Sequence, residues 1–370
     1  AIDPTMCTNV ATRGYYFQGD GGAGTYYWVS GQTGTNYGGK IASSISGSWE
    51  LAAGKVLSSM SYGITNSNSL NQYARLTNFF AYGTGKRLFF EPGSYRSVGG
   101  LTVYTNTIVE AYGTIWDIET SGNNDRAIHL TSGVQWRGGS VTCEALSGGD
   151  SGEDHVAFRI GYYNTPDGPT TFNVTLEDVT VDIISSGGTI YNAIVVMGDA
   201  YNINLKNIVT KPSAVSDCGI MVHWGANFGA GAPSVSNPTF HPHNVMIDGV
   251  QIGALTKASG VVAGLSFAGA YASTVQNATI DNSLIGLSWD AGDYGFEFSD
   301  LVNSNQIAAV SFKNCVVHKA RAYGMWANGA ESLGTKVSRN YPVFENCTVT
   351  GPWTTGDLSG TDKAGARLTH

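Results

Sequence analysis

The stretch SWDAGDYGFE, residues 288–297, places the acids Asp290, Asp293 and Glu297 in one short span beside Trp289 and Tyr294. Two opposed carboxyl groups are what hydrolysis of a glycosidic bond needs. One gives a proton to the leaving oxygen, and the other acts as nucleophile or as base on water. Glu297 with Asp293 is the expected pair, with Asp290 in reserve, while Trp289, Tyr294 and Trp326 offer ring faces and edges to a sugar. The competing reading is a solvated loop whose aromatic residues only cover the layer beneath. A second acidic run, GGDSGEDH at 148–155, carries Asp150, Glu153, Asp154 and His155 without the spacing of a calcium loop. It reads as a solvated loop, or else as a groove edge or intersubunit site. His241 and His243 in HPH are too few for a metal centre. Neither a metal nor a cofactor is expected.

Near the other end, Gly19-Asp20-Gly21-Gly22-Ala23-Gly24 fits G-x-G-x-x-G. That pattern holds a pyrophosphate only between a strand and the start of a helix. Here the aromatic, β-branched run TYYWV follows, which favours a strand, so the glycines read as a turn between strands.

Composition narrows the class of molecule. The chain has 370 residues with 49 glycines, 42% hydrophobic residues and only 13% charged ones. This balance belongs to a β-rich fold with many turns and not to a disordered chain. A net charge of -8 speaks against nucleic acid, which needs a basic face. No apolar run reaches the roughly 18 residues of a membrane span. No signal peptide is visible, and residues 1–5, ahead of Met6, read as an appended stretch. Five cysteines without paired spacing make no disulfide framework and fit assembly in a reducing cytosol.

The elements that must carry these residues show in a recurring nine-residue pattern. It reads NVTLEDVTV from Asn173, NINLKNIVT from Asn202, NVMIDGVQI from Asn244 and NATIDNSLI from Asn277, with looser copies from Gly133, Ala309 and Tyr341. The starts lie 29 to 42 residues apart, the mark of a solenoid with variable insertions. Positions two and four are apolar, which sends alternate side chains of a strand inward. Position six (Gly138, Asp178, Asn207, Gly249, Asn282, Asn314, Asn346) tolerates a left-handed backbone and bends the chain sharply. A third strand precedes each pair, as in AFRIG from Ala157, AIVVMG from Ala193, GLSFAG from Gly264 and YGFEFS from Tyr294.

Three strands per turn describe an all-β, parallel β-helix. Asn282, Asn314 and Asn346 would form an internal amide ladder, and Cys315 and Cys347 would be buried thiols one rung apart. The ladder and strand places of Asn173, Asn277 and Asn346 outweigh their match to a glycosylation sequon. On the third strand, alternation sends His129, Arg159, His223, Ser266, Glu297 and Trp326 outward in one line, with Val195 between Arg159 and His223. Such a line suits an extended glycan. His223 and Arg159 also allow an elimination, with a base beside a neutralised uronate, but the line is short of positive charge and hydrolysis ranks above it.

The division expected is a β head module over residues 1–60 and the solenoid over 61–370. An amphipathic helix near 68–82, with Leu70, Tyr73, Leu76, Phe79 and Phe80 on one face, would cap the open end. The closing AGARLTH reads as the opening strand of a further rung, so continuation past His370 is expected.

The head stretches GYYFQGDGGAGTYYWV and GSWELAAG, the helix, LFFEPGSYR and the rungs together resemble bacteriophage tailspike proteins of the pectate-lyase-like superfamily, whose β-helix is right-handed. The most specific pieces are the glycine-rich head turn and Pro92-Gly93-Ser94-Tyr95. The acidic stretch common before the family's helix is replaced here by YGITNSNS. The resemblance implies a homotrimer on a phage tail, attached through its N-terminal side to the tail or baseplate and folded in the host cytoplasm. It implies binding, and often cleavage, of a bacterial surface polysaccharide (capsule or O-antigen), with no nucleic acid and no membrane insertion. A non-catalytic adhesin or structural tail fibre is the alternative from another class, and a polysaccharide lyase is the third.

Overall fold

In the computed structural model of the chain, the residues described are 3–31, 39–43, 46–52, 54, 56–121, 126–147, 156–162, 169–187, 190–211, 215–223, 242–253, 263–268, 270–281, 283–290, 310–320, 323–328, 342–351 and 364–369. A small antiparallel sheet comes first, in the order Asn9–Ala11, Thr25–Ser30, Gly47–Leu51, Lys40–Ala42. The glycine-rich segment is the loop joining its first two strands, and a strand follows it as expected. The loop supplies its own anion. The Asp20 carboxylate accepts the backbone N–H groups of Tyr15 (3.0 Å), Tyr16 (2.6 Å), Phe17 (3.1 Å) and Gly22 (2.8 Å). Desolvation opposes its ionisation, but these donors outweigh that and bring its pKa down to about 2. Amides that could have cradled a phosphate are therefore already taken.

Among the described residues, the strands from Val56–Ser58 onwards form a parallel solenoid, interrupted by a 3-10 turn and one helix. Each coil supplies one strand to each of three parallel sheets. Sheet I begins with Val56–Ser58 and Arg87–Phe89, sheet II with Gly93–Val98 and sheet III with Leu101–Val103. The two sheets that lack the Val56–Ser58 strand have nine strands each, so the described residues make nine coils, ending with Val343–Glu345, Thr348–Val349 and Ala364–Thr369.

Sheets I and II meet at the tight bend read from the sequence. Asp178, Asn207, Asn314 and Asn346 hold φ between 50° and 57° there, and Gly138 and Gly249 take the same left-handed form. The polar side chains bond along the stack, with Asn207 Nδ2 donating to Asp178 Oδ1 at 3.0 Å and Asn346 Nδ2 to Asn314 Oδ1 at 3.5 Å. A second left-handed row, Asn173, Asn202 and Asn244, marks the corner from sheet III to sheet I. One copy is phased differently from the expectation. Asn277, with φ 55°, is itself the sheet I–II bend and bonds Asp248 along the stack, so Ser273–Gln276 and Thr279–Asp281 are the flanking strands, while Asn282 lies outside the described residues.

The helix runs Tyr73–Tyr82, shorter than the expected span. Asn71 bridges to Arg96 instead, and the Gln72 side chain ties down Thr65 and Ser67, leaving Leu70 and Tyr73 exposed. Leu76, Phe79 and Phe80 close the lumen. Phe80 lies 6.4 Å from Trp116 and 6.3 Å from Trp136, and Phe90, Tyr95 and Phe158 complete a buried aromatic plug.

Candidate functional site

Sheet III does not carry the exposed line expected of it. Its register pairs His129 with Arg159, Arg159 with Val195, Val195 with Met221, then Ser266, Ser288, Trp326 and Arg367 in sequence. His223 is displaced from that column by two residues and pairs with Met197 and Ala268. His129, Arg159 and His223 are 2%, 6% and 0% exposed, so these outward positions offer no open groove to a glycan. Trp326 is half-buried.

The seventh coil also differs. Its sheet III strand is Ile285–Asp290, not YGFEFS, because Ile285, Leu287 and Trp289 continue the inward alternation. Trp289 is consequently core, fully buried in register with Phe267 and Ala327, and cannot stack on a sugar. Ser288 fills the column place expected for Glu297. Asp290 ends the strand, paired with Ala268 and Asn328. Asp293, Tyr294 and Glu297 lie outside the described residues, as do Asp150, Glu153, Asp154, His155 and His241. His243 stacks between Tyr201 (5.1 Å) and Tyr271 (4.9 Å).

Burial has a measurable consequence at His129. Desolvation, with Arg159 and Arg126 adding repulsion, lowers its pKa from 6.5 to about 3, although its ring bonds the Gly161 carbonyl at 3.0 Å. The folded value lies below the unfolded one, so neutral His129 contributes stability that is complete above pH 6.5 and lost as pH falls towards 3. Melting temperature should fall less steeply across that window in His129→Gln than in the wild type; equal slopes would contradict the assignment.

The open carboxylate groove is on sheet II. Outward positions there form two neighbouring columns over the first coils. One runs Arg96, Asp117, Thr142, Asp182, Lys211, and the other Val98, Glu119, Glu144, Ile184. Their strand neighbours Trp116, Ile118, Val141, Cys143, Val181 and Ile183 are buried, which fixes the outward face. A cavity of 290 Å³ is lined by Asn68, Arg96, Asp117, Glu119, Thr142 and Glu144, with Ile118 and Ile184.

Arg96 Nε donates to Glu119 Oε1 at 2.6 Å. That hydrogen bond, then the charge of Glu119, raises the guanidinium above its ordinary pKa, with Asp117 and Glu144 contributing further. Glu119 is thus oriented by Arg96, while Glu144, one coil on, accepts a hydrogen bond from the Ser186 hydroxyl. In-register backbones a rung apart are about 4.8 Å distant, near the ~5 Å separation of carboxyl groups in a double-displacement glycosidase. Among the described residues, no three His, Cys, Asp or Glu side chains converge as a metal site.

None of these acids was singled out from the sequence. Each is only the polar half of an alternating strand (TIWDIETS, SVTCEALS), and the available signal was the same outward parity of acids in two successive strands.

No family profile matches the chain, and no curated protein does. Among solved structures, tailspike protein 2 from Escherichia coli O157:H7 bacteriophage CAB120 matches 93% of this chain at 9% identity with a TM-score of 0.52. The match covers 49% of that protein, so the chain spans about half its length. The gp42 tailspike of Acinetobacter phage vb_AbaP_AS12 matches 92% of the chain and 66% of its own at 11% identity, TM-score 0.49. The tailspike gp49 of Acinetobacter baumannii bacteriophage Fri1, a capsular polysaccharide depolymerase, matches 96% and 73% at 14% identity, TM-score 0.47. The first of these likenesses shows a shared fold, the parallel β-helix of a phage tailspike.

Proposed function

We propose that the chain is the glycan-cleaving part of a phage tailspike, acting on a bacterial surface polysaccharide as a homotrimer on the virion tail. The observation that carries this reading is the sheet II groove, where Glu119 and Glu144 stand on adjacent coils with Arg96 fixing one of them. In hydrolysis, Glu144 gives its proton to the glycosidic oxygen as the bond to the anomeric carbon breaks. Glu119, oriented by Arg96, attacks that carbon as its carboxylate, and water later displaces it with Glu144 acting as base. Asp117, Thr142 and Asn68 supply hydrogen-bond partners for sugar hydroxyls along the cavity.

Hydrolysis is favoured over elimination because elimination needs a cation facing a uronate carboxylate, and among the described residues the one guanidinium lining this cavity is engaged by Glu119. The set Glu297, Asp293 and Asp290 is the alternative cleavage group, favoured by the place of Asp290 at the end of a sheet III strand.

The test is to spot purified protein on lawns of many encapsulated strains and to digest the polysaccharide of any strain that gives a halo. Halos on a few strains, with new reducing ends and no absorbance from a conjugated double bond, are the expected result. Products absorbing in the ultraviolet would establish a lyase. Binding without a halo on any strain would establish an adhesin.

A further inference from the structure

Cys315 and Cys347 occupy the same place on successive coils, each directly after a left-handed asparagine (φ 53° at Asn314, 52° at Asn346). The register on both sides of them is closed. Phe312 stacks on Phe344 at 4.9 Å and 8°, Lys313 pairs with Glu345, and Thr348 N donates to Cys315 O at 2.8 Å. Identical backbone conformations one rung apart project the two Cβ atoms in parallel, about 4.8 Å from each other. That is too wide for a disulfide, whose Cβ atoms stand roughly 3.5–4.5 Å apart, and both residues are free thiols.

The spacing suits a different bond. A linear sulfur–metal–sulfur unit spans twice a metal–thiolate length of roughly 2.3 Å, close to one rung. We propose that Cys315 and Cys347 form a two-coordinate site for a thiophilic d10 cation of the copper(I) class, bridging the eighth and ninth coils.

Cys347 is half-buried and gives a soft cation access, while Cys315 is fully buried. Neighbouring backbone oxygens are 3.4 Å from each sulfur, Lys313 O for Cys315 and Phe312 O for Cys347, too far to coordinate. On binding, Cys315 and Cys347 release their thiol protons to solvent, two sulfur–metal bonds form, and no electron is transferred.

The experiment is anaerobic competition of the full chain for copper(I) held by the chromophoric chelator bicinchoninate. The wild type should withdraw a single equivalent that is lost in both Cys315→Ser and Cys347→Ser, while Cys143→Ser and Cys218→Ser withdraw as the wild type does. Because Cys315 is wholly interior, Cys347→Ser, at the half-buried position and with an unchanged circular dichroism spectrum, carries the decision. Withdrawal by Cys347→Ser equal to the wild type, or none by the wild type, overturns the site.

Discussion

Glu144→Gln should lower glycan cleavage by about 10²–10⁴-fold, the usual contribution of a positioned general acid, while polysaccharide binding and melting temperature stay near those of the wild type. The amide keeps the shape of the side chain and the Ser186 contact but has no proton of suitable acidity to give. Glu144 is partly exposed and packs nothing in the core, so its replacement should change stability by no more than about 0.5 kcal/mol. Glu119→Gln should be as damaging to rate. Arg96→Ala should act through Glu119, because the 2.6 Å contact that orients that carboxylate is removed. Initial rates of reducing-end release, compared with binding by pull-down on the same polysaccharide, separate these effects. Full activity in Glu144→Gln would remove the sheet II groove from consideration and leave the Glu297 set.

The largest expected stability effect belongs to Trp116→Ala, which should cost about 3–5 kcal/mol. Trp116 is fully buried where the helix closes the solenoid, with ring centroids 4.8 Å from Phe90, 5.0 Å from Tyr95 and 5.4 Å from Trp136. Its indole Nε1 also donates to Thr114 Oγ1 at 2.8 Å. Truncation leaves a cavity that a ring of rigid aromatics cannot collapse to fill, and it loosens the plug that protects the first strand edges. Chemical denaturation read by fluorescence and circular dichroism should show the midpoint moving with little change in slope. A loss below about 1 kcal/mol, the ordinary size for point mutants, would mean that the plug is not where the end of the solenoid is held.

The coil was legible because its signals are local. A left-handed Asn, Asp or Gly between two alternating strands can be read without knowing what stacks on it, and Asp178, Asn207, Asn314 and Asn346 all adopt that bend. The bend is ambiguous in sequence where two candidate residues stand close together. Asn277 and Asn282 both suit the bend, and the strand before Asn277, STVQ, lacks the aliphatic pattern that marked other copies. Trp289 is ambiguous in sequence for a similar reason, since acids and glycines follow it although Ile285 and Leu287 already carry the inward alternation to it.

The groove was not legible at all. Glu119 and Glu144 become neighbours only through the register of Thr114–Ser121 against Ser140–Ser147, with a sheet III and a sheet I strand between them in the chain. Alternation shows which residues point outward. Which face is open depends on what packs over it, as His129 and Arg159, buried beside the Tyr162 ring, demonstrate.

The most direct test is a crystal structure of Glu144→Gln soaked with the oligosaccharides that the wild type releases from a halo strain's polysaccharide. The account predicts sugar density in the cavity beside Arg96, Asp117 and Glu119, with a glycosidic oxygen within hydrogen-bond reach of residue 144. Sugar bound instead along sheet III near Asp290, with the sheet II cavity empty, would contradict it.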